Sequence, residues 1–218
     1  INVNIFSTIF PDKTEGVGIN WSNIIATIIV SLLVAIVIGF MMVIIIFAFG
    51  SFLGAPAGVG MKYMFMKLRK GSVEFKDGIE GIGNGNYMKI VETMFFANLR
   101  IWLWSFLFII PGIIKYYELY FVSYIVACNP TISAKRALEI SKEMSSGHKK
   151  DIFAFELSFI GWYIIVILLC LCTCGLGGVM IIPLLSYIEA SKAEMYTERR
   201  EYAIIQGITD EKELPYII

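Results

Sequence analysis

The chain carries no charged residue between Glu15 and Lys62. A spanning helix needs roughly 20 apolar residues, and this gap far exceeds that length, so a soluble reading is excluded here. Histidine is almost missing: His148 is the only one in 218 residues. It sits in a Lys-rich stretch and reads as a solvated surface residue, so neither a His-rich metal motif nor a Ser–His nucleophile pair is visible. Cysteine is scarce too. Three of four fall in Cys170-Leu-Cys172-Thr-Cys174, a spacing unlike the C-x-x-C of metal and redox sites. They read as small buried hydrophobes. Net charge is zero, and the basic residues flank apolar segments, as membrane topology demands, which leaves nothing for nucleic acid. No catalytic residue, metal or cofactor is expected, and the chain reads as non-enzymatic.

What is abundant is apolar sequence, 57% of the residues, above the roughly 45–50% usual for soluble domains. The runs are continuous and not alternating, so lipid-spanning helices are expected rather than a barrel. The expected fold is all-α, a polytopic transmembrane bundle. Its crossings fall near 22–48, 90–110, 116–128, 152–172 and 178–197. Residues 1–20, with Asp12, Lys13 and Glu15 among glycines, read as an outer loop. Residues 21–197 form the membrane domain, and 198–218 a charged cytoplasmic tail. The pattern Gly81-Ile-Gly83-Asn-Gly85 has neither the strand nor the helix of a phosphate cradle around it and reads as a loop.

Between the crossings at 116–128 and 152–172 lies a charged stretch too polar to span. Asn129-Pro130 is a helix start, with Asn at the cap and Pro at the first position, and Gly147 a stop. Ala137, Ile140 and Met144 share one face of this elbow, 129–147. The stripe is thin, so the elbow is expected at the membrane surface. Lys135, Arg136, Glu139, Lys142 and Glu143 stay in water or meet a cytosolic partner. Lys and Arg cluster at 62–76, 135–150 and 192–200, which the positive-inside rule places in the cytoplasm. That puts residue 1 outside and the C-terminus inside a plasma membrane.

Ionisable residues within spans mark functional sites by default. Glu92, Arg100, Lys115, Glu118, Glu156 and Glu189 qualify by position. Arg100 is expected near mid-membrane, paired with Glu92, Glu118 or Glu156, and Glu118 nearer the outer side. Pro111-Gly112 is expected to break the helix, Pro by removing a donor and Gly by freeing the turn. The tyrosines at 116, 117, 120 and 124 suit an interface or a pocket.

Several blocks together resemble a bacterial membrane family. They are Leu103-Trp104, then Ile110-Pro111-Gly112-Ile113-Ile114-Lys115 with Tyr120. Next come Ser141-x-x-Met144-x-x-Gly147-His148-Lys149, Phe153, Leu157-Ser158-Phe159-Ile160-Gly161-Trp162, Pro183 and Ala193-x-x-Tyr196. The family is the domain of unknown function 975, common in Gram-positive bacteria, and the resemblance covers roughly 50–197. It implies six membrane helices with both termini cytoplasmic, hence one helix before residue 1. It also implies a distant likeness to the membrane portion fused to some glycerophosphodiester phosphodiesterases, and it carries over no catalytic residue. The functional expectation is a transport-associated or permease component with a polar pocket between helices. The alternatives are a scaffold docking a membrane subunit or cytosolic partner through its elbow, and a lipid-organising protein; membrane lipids are partners in each.

Overall fold

A computed structural model describes residues 21–68, 71, 73–82, 85–173 and 175–216. The outer loop expected at 1–20 lies outside them, as do Arg69, Lys70, Gly83 and Cys174. The described residues are helical, with no strand. Five helical runs are long and apolar enough to cross a membrane: Ile24–Leu68, Tyr87–Leu107, Ile109–Cys128, Lys149–Cys172 and Leu176–Ile205. The expected all-α helical bundle is what the chain forms.

Two compact units divide the chain, 1–47 and 48–218. The first contributes most of α1, Trp21–Phe49. Its residues from Ile24 onward expose apolar side chains on every side, as expected of a helix solvated by lipid.

The second unit holds the packed core. After a π-helical turn at Gly50–Gly54 come α2, Ala55–Leu68, and α3, Phe75–Ile82. They approach closely because Gly60 and Gly81 lack side chains: a Cβ on Gly81 would meet Tyr63 Cβ at 2.8 Å. Lys67 ties the pair to Asp77 at 2.6 Å. Next come α4, Tyr87–Leu107, and α5, Ile109–Glu118. The break between them falls at Phe108, whose backbone is extended, three residues before the expected Pro111-Gly112. The reason is steric. The first four N–H groups of a helix have no helical acceptor, so Pro111 costs nothing in the first turn of α5. Gly112 does not supply a positive φ. It supplies room, since a Cβ there would lie 2.6 Å from Ser105 Cα.

A second break at Leu119–Phe121 leads into α6, Val122–Cys128, buried from Val122 to Ala127. The elbow helix α7 runs Ala134–Ser145, starting later than expected. Ser133 caps it, accepting from the Arg136 N–H at 3.3 Å. Asn129 instead forms a turn with the Thr131 N–H, 3.0 Å, and donates to the Glu213 carbonyl, 3.0 Å. Gly147 ends the elbow with φ +78.

The expected thin stripe is also wider. Leu138, Ser141 and Ser145 are buried beside Ala137, Ile140 and Met144. The serines repair the break before α6. Ser141 and Ser145 donate to the Glu118 carbonyl at 3.1 and 3.4 Å, and Ser141 Oγ accepts from the Phe121 N–H at 3.2 Å. A buried backbone break needs such partners, so the elbow belongs to the core.

Helices α8, Lys149–Ser158, and α9, Ile160–Cys172, follow, then a 3₁₀ turn at Leu176–Met180 and α10, Ile181–Ile205. Nothing in α9 is buried. Phe159, Leu184 and Ile188 form a small separate core there. Beyond α10, the charged tail folds back. Leu214 is fully buried, and its carbonyl accepts from Arg200 Nε at 2.9 Å.

Candidate functional site

Helices α2, α4, α5, α6 and α10 enclose a cavity of about 170 Å³. Lys62 enters from α2, Asn98 from α4, and Glu189 with Lys192 from α10. Tyr116, Tyr120 and Tyr124 line the remaining wall, spaced four residues apart across the α5–α6 break. The tyrosines hold one another: Tyr116 and Tyr120 meet edge to face at 5.9 Å, and Tyr124 stacks on Tyr196 at 5.1 Å. Lys62 Nζ lies 5.3 Å from the centre of the Tyr124 ring, within cation–π range. Lys192 pairs with Glu189 at 3.5 Å. The Tyr124 residue is 1% exposed, yet its hydroxyl has no hydrogen-bond partner. Buried hydroxyls are normally partnered, so this cavity holds an unused donor.

A second depression, about 300 Å³, adjoins the first and shares Lys192 with it. Glu156 sits in its wall and accepts from the Tyr116 and Tyr117 hydroxyls at 3.2 and 2.9 Å.

The intramembrane candidates therefore separate. Glu156 joins the tyrosine wall and Glu189 joins the cavity. Glu92 and Arg100 are exposed, and among the described residues Arg100 pairs with no carboxylate. The expected pairing fails because Glu118 and Glu156 are held by other groups. The buried Glu118 carboxylate contacts Lys115 at 2.8 Å, and Lys142 of the elbow and Lys149 of α8 at 3.8 Å each. It closes α5, ten positions after Phe108, about 15 Å of helix.

On the elbow, Lys135, Glu139, Lys142 and Glu143 are exposed. Lys135 reaches Glu139 at 3.9 Å. Arg136 is occupied by the chain itself: Nε and Nη2 donate to the two Glu213 carboxylate oxygens at 2.7 and 2.9 Å. This bidentate contact holds the Glu213 carboxyl below the usual carboxylate range.

Lys62, Asn98 and Lys192 were not among the candidates singled out by position, whereas Tyr124 was among the tyrosines expected to suit an interface or a pocket. Two signals mark the site in the sequence. Lys62 is the first charge after the long neutral stretch, and Tyr116, Tyr120 and Tyr124 recur at helical spacing.

No curated protein and no solved structure matches the chain. The match to a family model begins at the α4–α5 break and takes in the tyrosine wall, the elbow and most of α10, leaving Lys62 and Asn98 outside. Over residues 108–202 the chain matches the model of a family described as Protein of unknown function (DUF975).

Proposed function

We propose that this is a non-enzymatic integral membrane protein, a transport-associated or permease component whose helices enclose a solute-binding pocket. The single observation behind the reading is the cavity with its unpartnered Tyr124 hydroxyl and its mixed charges. Lone polar groups are costly inside spanning helices and mark solute paths. Here they converge from five helices on one volume. Placing the elbow and the tail on the cytoplasmic side of a bacterial plasma membrane belongs to this reading, and rests on the flanking lysines and arginines.

The test is flux. Vesicles containing the full chain are assayed with a panel of small ionised solutes, alongside Ser123→Trp, which fills the cavity, and Ser123→Ala as a folding control. Uptake lost in the first and kept in the second supports the pocket. Equal flux in all vesicles, including protein-free ones, ends it.

A second reading, a scaffold docking a partner through the elbow, draws on the exposed Lys135, Glu139, Lys142 and Glu143. It is weakened at Arg136, which the chain's own Glu213 already holds.

A further inference from the structure

We propose that the cavity takes the phosphate of an anionic lipid, with the acyl chains lying outside along α5 and α10. This deepens the pocket reading above and rests on it. What the cavity leaves unsatisfied is donors. Lys62 is half-buried and makes no ion pair among the described residues; its ammonium lies against the Tyr124 ring, with Glu189 and Lys192 in the same cavity beyond ion-pair distance. An ammonium cannot accept a hydrogen bond. The Tyr124 hydroxyl, without a partner, adds another donor to the same volume.

The nearby carboxylates answer them only in part. Glu189 attracts Lys62 without pairing with it, because it is paired with Lys192, and Glu156 lies outside this cavity, engaged by Tyr116 and Tyr117. An anionic acceptor group is the complement, and a phosphate offers several oxygens to converging donors.

The mouth points to a lipid over a soluble ion. Tyr116 at the rim is exposed. One turn before it on α5 lies Ile113, and one turn before Glu189 on α10 lies Leu185; both are about half exposed. Residues three and four apart share a helix face. An apolar strip therefore runs outward from the polar cavity, as the two parts of a phospholipid require.

The experiment uses the full chain in detergent and counts bound lipid by native mass spectrometry. The probes are dioleoyl phosphatidic acid, dioleoyl phosphatidylcholine and inorganic phosphate. Phosphatidic acid should bind more tightly than phosphatidylcholine, and inorganic phosphate should not displace it. Lys62→Gln should weaken phosphatidic acid binding about ten- to a hundredfold, the value of one lost charge-assisted hydrogen bond. Tyr124→Phe, which leaves the ring in place, should weaken it to a lesser degree, and Lys142→Gln on the exposed elbow should change nothing.

Equal binding of the two lipids overturns the proposal, as does unchanged binding in a Lys62→Gln variant that elutes as folded protein. Equal losses in Lys62→Gln and Lys142→Gln overturn it too, in favour of surface attraction. Displacement by inorganic phosphate overturns the lipid and assigns the site to a free anion. If lipid binding ignores Lys62 while Ser123→Trp still abolishes flux, the anion assignment falls and the pocket stands; if neither variant has an effect, both fall.

Discussion

Helices α6 and α9 are both largely apolar, yet one is buried almost throughout and the other nowhere. The difference lies in their neighbours. Around α6 the chain supplies α2, α4 and the elbow, whose small and polar residues let them pack close and satisfy the broken backbone. Around α9 it supplies little, and lipid must complete the solvation. Hydrophobicity alone therefore does not separate a helix that anchors the core from one that faces acyl chains. The polar cavity and the Glu118 cluster both lie at the α6 end, where protein packing excludes lipid and can hold charge.

The sharpest way to break this comparison is to strand charge at the packed end. Glu118→Ala leaves Lys115, Lys142 and Lys149 facing one another around a buried site. It should cost about 3–5 kcal/mol, the usual penalty for removing one member of a buried pair, read as a lowered melting temperature in detergent. Lys142→Ala, on a largely exposed side chain, should cost about 0–1 kcal/mol. Equal losses would mean that Glu118 is not the organising group.

Next in size is apolar truncation. Ile125→Ala in α6 removes a fully buried side chain and should cost about 2–5 kcal/mol. Ile165→Ala in α9, more than half exposed, should have a small effect, and similar losses in the two would erase the contrast. Gly112→Leu should destabilise by about 1–3 kcal/mol through overpacking against Ser105, detected as reduced folded protein after purification. Gly161→Ala, with nothing within 4 Å, should be neutral or stabilise α9 by about 0.5–1 kcal/mol.

The smallest effect concerns the tail. The Glu213 carboxyl is lowered from 4.5 by the Arg136 hydrogen bonds. A depressed carboxylate gives stability that is full above its unfolded value and is lost as pH falls through the folded one. The contact is partly exposed, so about 1 kcal/mol is at stake. The protection factor of the Leu214 amide, taken relative to its intrinsic exchange rate, should fall below pH 4.5, and Glu213→Gln should show low protection at neutral pH with that pH step removed.

Much of this was legible in order along the chain. The long uncharged run marked the first membrane helix, Pro111 marked a nearby break, and Gly147 marked the elbow's end. Arg100 shows the limit. Its place within a span implied a carboxylate partner, but side-chain pairing depends on which helix faces arrive together. Glu118 and Glu156 meet lysines and tyrosines instead. The elbow was misjudged for a related reason. Ser141 and Ser145 read as polar positions. The broken backbone at Glu118–Phe121 gives Ser141 buried partners, and Ser145 donates back to the Ser141 carbonyl.

The sequence by itself determined that the chain is helical and built to meet lipid, because uninterrupted apolar runs leave the backbone no other way to satisfy its hydrogen bonds. It also determined where the spans end, since charge and helix-breaking residues cannot sit freely in hydrocarbon. The tertiary structure decided which apolar helix lies inside, which carboxylate meets which lysine, and that Lys62 and Tyr124 share one cavity across 61 intervening residues. These are properties of interhelical approach, set by residues such as Gly60, Gly81, Gly112 and Ser141, whose small size matters only once a second helix is pressed against them.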